Sequence, residues 1–439
     1  MKIMKFGGTS VGSSERIKEV AALLCKSKDN LLVVLSAMSG TTNALVEISK
    51  HYYAGETDEA EKIANELEHK YFQHVEALYS TPEYKEKLQK FIHERFDFIR
   101  SFGNDYFSTY EEKQILAQGE ILSTNMMVGY LKENKVNAVL LNALDFVFTN
   151  KNSEPDLPKI RQHLSAVMEQ NQGVKLYITQ GYICTNAFGE IDNLQRGGSD
   201  YTASLLGAVL PAEEIQIWTD IDGIHNNDPR FVENTTSIRN ISFAEAAELA
   251  YFGAKILHPT CVQPAKDANV PIRLKYTMDP EAEGTLIVGD IDKGRLKAIA
   301  AKDNMTVMNI QSKRNVTSNI FLKKTLEVFE TYSIAIDMMT TSEVAVAICF
   351  ETNGNIEKIK QALHPYAEVS IENDMCIVCA VGDFDWENDT PSLQQRILRS
   401  LKQYHIKMIG YGGSRYNISV VISANDKQAV LQQLNNDLF

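Results

Sequence analysis

Four short stretches of the chain carry residue types suited to handling anions. The first, Lys5-Phe6-Gly7-Gly8-Thr9-Ser10, ends an apolar run, and its glycines would let backbone amides approach a ligand oxygen. It meets neither the dinucleotide fingerprint, which needs glycine where Thr9 stands, nor the P-loop, which needs lysine where Ser13 follows Gly12. The second, Arg196-Gly197-Gly198-Ser199-Asp200, offers a guanidinium for a carboxylate and further donors beside it. A helix cap with a surface arginine would read the same way. The third runs from Trp218-Thr219-Asp220-Ile221-Asp222-Gly223 to Asp228-Pro229-Arg230. It follows an apolar run, at the strand end where open α/β sheets bind ligands, although a tight acidic turn is the alternative. The fourth, Phe252 to Pro259, sets Lys255 among apolar neighbours, which argues against a solvated face. Together these stretches supply lysines, arginines and acids in the proportions phosphoryl transfer uses, where catalysis is mainly positioning and charge neutralisation. Acyl hydrolysis fits poorly, since no Ser-His-acid set stands out. His225 and His258 lack the spaced partners of a metal site, so packing or a nucleotide contact suits them better.

Such loops need a sheet to hold them. Lys2–Phe6 reads as a strand, Ser13 or Ser14 as a helix cap, and Ile17, Val20, Ala21 and Leu24 as the buried stripe of that helix. The run 31–35, Leu-Leu-Val-Val-Leu, is that of a parallel strand covered on both faces. Charged helical sequence dominates 55–134, which predicts a helical insertion beside the sheet. Strand patterns return at 138–141, 176–180, 214–219 and 271–276, with helices at 201–209, 243–252 and 260–268, so 1–280 reads as one α/β domain. Residues 281–295 read as a linker. Beyond it a pattern repeats: strand 304–312, helix 321–332, strands 334–339 and 344–350, helix 355–363. The second pass has strand 375–381, helix 393–404, strands 406–411 and 417–422, and helix 426–434. Two small domains, 296–372 and 373–439, follow from this, with strand 296–301 completing the second so that the repeats interleave.

The 439 residues include 44 Lys+Arg and 57 Asp+Glu, a net charge of −13 that argues against nucleic acid as a partner. A hydrophobic content of 44% and a charged content of 23% are those of a soluble globular protein. No apolar run reaches the ~20 residues of a membrane span, and the first residues lack a secretory pattern, so a cytoplasmic chain without a membrane partner is expected. Six scattered cysteines make no disulfide framework. Cys376 and Cys379 sit in a strand-like run, where their spacing places them on opposite faces.

The segments KFGGTS (5–10), LSAMSGTTN (35–43), QGE (118–120), RGGSD (196–200), WTD (218–220), DPR (228–230) and FGAKILHP (252–259) occur in this order. The series resembles the aspartate kinases, and FLKKTLEVF with TTSE (340–343) resembles the first of that family's two ACT domains. The resemblance spans essentially the whole chain. It implies an α/β amino acid kinase fold, carbamate-kinase-like, with a parallel-rich sheet between helices, followed by two ferredoxin-like βαββαβ ACT domains. The implied reaction is ATP-dependent phosphorylation of the β-carboxylate of L-aspartate to 4-phospho-L-aspartate. This is the first step toward lysine, threonine, methionine and diaminopimelate. That nucleophile is ionised at neutral pH and needs no strong base.

Carried onto this sequence, the resemblance makes Lys5, Asp200 and Lys255 catalytic, Lys5 neutralising the moving phosphoryl group and Asp200 orienting the lysines. Gly7, Gly8 and Thr9 would cradle phosphate, and Thr219, Asp220, His225, Arg230, Lys255 and Ile256 would hold ATP. Thr42, Glu120, Arg196 and Ser199 would bind aspartate, Arg196 at a carboxylate and Glu120 at the amino group. Mg2+ would arrive on the ATP phosphates, with no protein ligand. Gln195 replaces a usual glycine and His225 a common tyrosine, which bears on loop stiffness and on the nucleotide contact. Asn315, Ser318, Phe321, Leu322, Asp337, Ser342 and Glu343 align with effector positions of the lysine-sensitive group, so lysine stands ahead of threonine as effector. A homodimer through the ACT domains is implied, with a tetramer as a further step, and no fused homoserine dehydrogenase. Two other readings are a catalytically inactive amino-acid sensor and a kinase for another carboxylate such as glutamate or N-acetylglutamate. Lys5, Arg196, Asp200 and Lys255 speak against the first, and Thr42, Glu120 and the ACT repeats against the second.

Overall fold

The computed structural model describes residues 1–104, 106–194, 197–253, 257–289, 295–313, 318–384 and 392–439. The chain forms two compact units, Met1–Ile224 with Leu257–Gly289, and His225–Ile256 with Asp290–Phe439.

In the first unit β1 (Lys2–Phe6) leads through α1 (Ser14–Lys26) to β2 (Leu31–Leu35). Ser13 caps α1, its hydroxyl accepting from the Arg16 amide at 3.3 Å, and Glu15 faces the positive end of the helix. Four helices follow: α2 (Thr41–Ala54), α3 (Thr57–Leu78), α4 (Pro82–Ser101) and α5 (Thr109–Glu133). The last three make up the expected helical stretch, and their apolar stripes pack into the core that covers β1 and β2. Next come β3 (Ala138–Leu141), α6 (Leu157–Glu169), β4 (Leu176–Gln180), the hairpin β5 (Ile183–Thr185) and β6 (Ile191–Asn193), α7 (Gly198–Val209) and β7 (Glu214–Thr219). The second unit claims β8 (Asn240–Ser242) and α8 (Phe243–Tyr251). The chain then returns to the first for α9 (Pro259–Asp267), β9 (Ile272–Tyr276) and β10 (Thr285–Val288).

Within that unit the strands lie in the order β3-β4-β2-β1-β7-β9-β10, parallel except for β10. All five residues of β2 are buried, as a strand covered on both faces requires. β10 lies inside the stretch read from sequence as a linker. Its Thr285 and Ile287 are buried and it pairs antiparallel with β9, so a strand stands there.

The second unit continues with β11 (Arg295–Ser312), α10 (Ser318–Thr331), β12 (Met338–Thr341), β13 (Ala345–Glu351) and α11 (Ile356–Leu363). It ends with β14 (Ala367–Asp383), α12 (Leu393–Ser400), β15 (Met408–Gly410), β16 (Asn417–Ser423) and α13 (Lys427–Leu438). Its sheet is antiparallel, in the order β12-β13-β11-β14-β16-β15. β11 and β14 pair from Arg295↔Asp383 to Ser312↔Ala367, so two repeats share one pair of long strands. Residues 296–301 lie against 378–382, the strand that also pairs with β16. One core gathers Phe321, Phe329, Phe350 and Ile359, another Ile397, Leu401, Val430 and Leu434. Cys376 and Cys379 are fully buried free thiols of β14. The segment His225–Ile256, inside the 1–280 range of the sequence reading, packs with this second unit. Among the described residues no helix is long and apolar enough to cross a membrane.

Candidate active site

Parallel strands point their carboxyl ends at one edge, and the loops there collect most of the first unit's expected site residues. Lys5 is the penultimate residue of β1, held between Val34 and Ile217 of the flanking strands. Its Nζ lies 2.7 Å from Asp200 Oδ1, with the two side chains only 12% and 19% exposed. Asp200 sits in the first turn of α7, which starts after Gly197 at φ 82° with no side-chain cap. That leaves the first amides of α7 open to an anion beside the ion pair.

Close backbone approach explains the glycines. A Cβ on Gly8 would lie 2.8 Å from the Ala37 carbonyl, and Ser39 N donates to the Gly8 carbonyl at 3.1 Å. The loops after β1 and β2 are therefore in direct backbone contact. Gly7 stands beside Lys5 Nζ, and Thr9 is exposed at the loop tip. Ser199 is buried against Gly181, where a Cβ would come within 2.3 Å of it, and it accepts a 2.8 Å hydrogen bond from Ser36. Neither Ser36 nor Gly181 was singled out from sequence, because each matters only through a partner on another strand's loop.

Thr42 is exposed in the first turn of α2, behind the left-handed Gly40, while its neighbour Thr41 is buried and bonded to Tyr71 at 2.9 Å. Glu120 lies within α5 at 4% exposure. One carboxylate oxygen accepts from the Ala37 amide at 3.1 Å, and the other has no partner among the described residues. Burial pushes this carboxyl up to about 8. A ligand ammonium would supply what the second oxygen lacks. Thr219 ends β7 and donates to Asp220 at 3.1 Å, beside Trp218 stacked 5.5 Å from Phe6.

In the second unit, His225 Nδ1 is 2.9 Å from the Thr235 hydroxyl. Arg230 grips Asp228 with two nitrogens, at 3.0 and 2.7 Å, so a phosphate would compete with that carboxylate. Arg196, Lys255 and Ile256 lie outside the described residues. So does Asn315 of the effector set. Of the rest, Ser318 is exposed and Leu322 half-buried on α10, whereas Phe321 is a core residue at 2% exposure. The Asp337 side chain is 2% exposed and already paired with Lys302 Nζ at 2.5 Å. Ser342 accepts from the Ala345 amide at 3.1 Å in the β12–β13 turn, and Glu343 is exposed there.

Residues 1–276 match the amino acid kinase family, and 378–438 match the ACT domain. Over 454 residues the chain is 31% identical to lysine-sensitive aspartokinase 3 of Escherichia coli K12, covering 100% of this chain and 99% of that one. The crystal structure of the E. coli enzyme with aspartate and ADP, called its R-state, superposes with a TM-score of 0.84 at 30% identity and full coverage of both chains. Its T-state, with lysine and aspartate, gives 0.84 as well, covering 100% of this chain and 99% of that one. The parallel sheet with its glycine loops is thus that of a small-molecule kinase, and the chain belongs to the amino acid kinase family. Within that family it falls among the aspartokinases with ACT domains.

Proposed function

We propose that the chain transfers the γ-phosphoryl group of ATP to the β-carboxylate of L-aspartate, giving ADP and 4-phospho-L-aspartate. The observation that carries this reading is the Lys5–Asp200 ion pair, set among glycine loops and the uncapped start of α7. A carboxylate oxygen attacks the γ-phosphorus, the bond to the β,γ-bridging oxygen breaks, and its electron pair leaves with ADP. Both reactants are anions, so the chief task is to offset repulsion and hold them in line. Lys5 meets the charge on the moving group, Asp200 fixes the lysine, and Gly7, Gly8 and Thr9 give the phosphates room. Ser199, Thr42 and Arg196 hold the substrate's carboxylates, and Glu120 holds its ammonium. Thr219, Asp220, His225, Arg230, Lys255 and Ile256 serve the nucleotide. Mg2+ offsets phosphate charge and travels on ATP.

The E. coli relative's complexes with aspartate, ADP and lysine support this assignment and a feedback role for lysine. In this reading residues 1–280 are the kinase domain with its helical insertion at 55–134, and a segment around 281–295 joins it to ACT domains at 296–372 and 373–439. Strand 296–301 serves the second ACT domain, the ACT domains pair two copies of the chain, and the enzyme works in the cytoplasm at the head of lysine, threonine and methionine synthesis. The test is ATP-dependent acyl phosphate formation trapped as hydroxamate, with aspartate, glutamate and N-acetylglutamate compared. Signal with aspartate alone is expected. Equal signal with another acceptor, or none despite bound nucleotide, overturns the reading.

A further inference from the structure

The QGE segment holds a residue the phosphoryl-transfer site does not use. Glu120 and Ser123 of α5 reach the loop after β2, at the Ala37 amide and the Ser36 carbonyl. Gln118 and Ile121 instead line a separate cavity of about 340 Å³. Phe91, Arg95 and Phe98 of α4 and Leu140 of β3 are among its other walls. Asn125, Asn142 and Gln180 also line it, so aromatic and aliphatic walls alternate with polar side chains, in a volume that suits a small ligand.

Two polar groups in the cavity lack partners. The Arg95 guanidinium stands 5.5 Å from the Phe91 ring, and among the described residues no acid or other acceptor meets it, its Nε being buried. Gln118 is 2% exposed, and its Nε2 donates to the Gln114 carbonyl at 3.0 Å while Oε1 has no donor. Buried polar groups are normally satisfied, so the orphaned Oε1 of buried Gln118 and the buried, unpartnered Nε of half-buried Arg95, sharing one cavity, define what a ligand would supply. We infer that this cavity is a second ligand site, for a small carboxylate with an apolar body. The carboxylate meets Arg95, the apolar body lies among Phe91, Phe98 and Leu140, and a hydroxyl or amine on the ligand donates to Gln118. Such a ligand would bear on α5, the helix that carries Glu120.

The test is calorimetry on the full chain, with phenylacetate as probe and phenethylamine, the same body with the opposite charge, as control. Phenylacetate should bind saturably and phenethylamine should not. Arg95→Gln should weaken phenylacetate binding at least about tenfold, since a charge-assisted hydrogen bond is lost, and Arg95→Lys should restore part of it. Ile121→Trp, which fills the cavity, should abolish binding, and kcat without probe should stay unchanged in both Arg95 variants. The inference fails if no saturable binding occurs, or if binding survives both Arg95→Gln and Ile121→Trp. It also fails if sedimentation shows these variants dissociating an oligomer, which would make the cavity an interface between copies of the chain.

Discussion

Lys5 and Glu120 are the two side chains on which the proposed chemistry depends most. Lys5 Nζ lies 2.7 Å from Asp200 Oδ1, so Lys5→Met removes the cation proposed to offset phosphoryl charge. Turnover should fall by at least about 10²–10³-fold, while circular dichroism and melting stay near those of the parent, because Asp200 keeps the positive end of α7. A near-normal rate would remove Lys5 from the mechanism. Glu120 is buried, with its carboxyl raised from 4.5 to about 8. The folded protein therefore keeps a proton that the unfolded chain releases. Its contribution to stability is complete below pH 4.5 and is lost as pH rises through about 8. Glu120→Gln has no proton to lose, so its melting temperature should gain on the parent's between about pH 5 and 8. An aspartate ammonium needs the ionised carboxylate, so kcat/KM for aspartate in the parent should rise about tenfold per pH unit below pH 8 and then level. A flat profile would take Glu120 away from the amino group.

Elements decide whether such residues meet, and here sequence legibility was uneven. The glycine loops, the buried β2 and the three helices of 55–134 were readable because periodicity and turn residues report local structure. The Lys5–Asp200 pair was legible only through the family resemblance, since it depends on α7 lying beside β1 across most of a domain. The closure of Asp337 by Lys302, a residue of β11, was not legible. β11 and β14 read as shorter strands because polar residues interrupt their apolar pattern near 303 and 373. In the structure these become bulges: register shifts fall between Lys302 and Met305, and Asn304 and Asp374 take φ values of 61° and 56°. The start of α7 offers a direct test of element placement. A Cβ on Gly197 would lie 2.0 Å from Cys261 Sγ of α9, and φ there is 82°. Gly197→Ala should therefore cost about 1–3 kcal/mol and displace Ser199 and Asp200, lowering both Tm and turnover. Adding Cys261→Ala removes the clash but not the backbone strain of about 1–2 kcal/mol, so recovery in denaturant unfolding should be partial. Full recovery, or none, would show that only one of the two causes operates.

At the scale of the whole molecule, the unit that holds the long antiparallel sheet also owns the segment His225–Ile256, which carries Arg230 and runs into the Lys255 motif. Within that unit the segment is tied to the sheet at several points. The Ile299 amide donates to the Asn226 carbonyl at 2.8 Å, and Lys302 Nζ lies 5.3 Å over the Tyr251 ring. Glu248 of α8 accepts from the Ser414 hydroxyl at 2.6 Å and from Asn417 Nδ2 at 2.7 Å. An effector on the sheet can change catalysis only if some element contacts it differently in two states. α8 is positioned to be that element, because its polar clamp joins the sheet to a stretch of chain continuous with the residues proposed to serve the nucleotide. Glu248→Ala removes both hydrogen bonds without touching a substrate group. Initial rates measured against rising lysine should then show half-inhibition at about fivefold or higher concentration, the low end of ordinary coupling energies, with the uninhibited rate unchanged. If the parent is inhibited and Glu248→Ala is inhibited equally, the coupling runs through the Tyr251 and Asn226 contacts instead. Tyr251→Ala, which takes the ring away from Lys302, would then be the variant in which inhibition weakens.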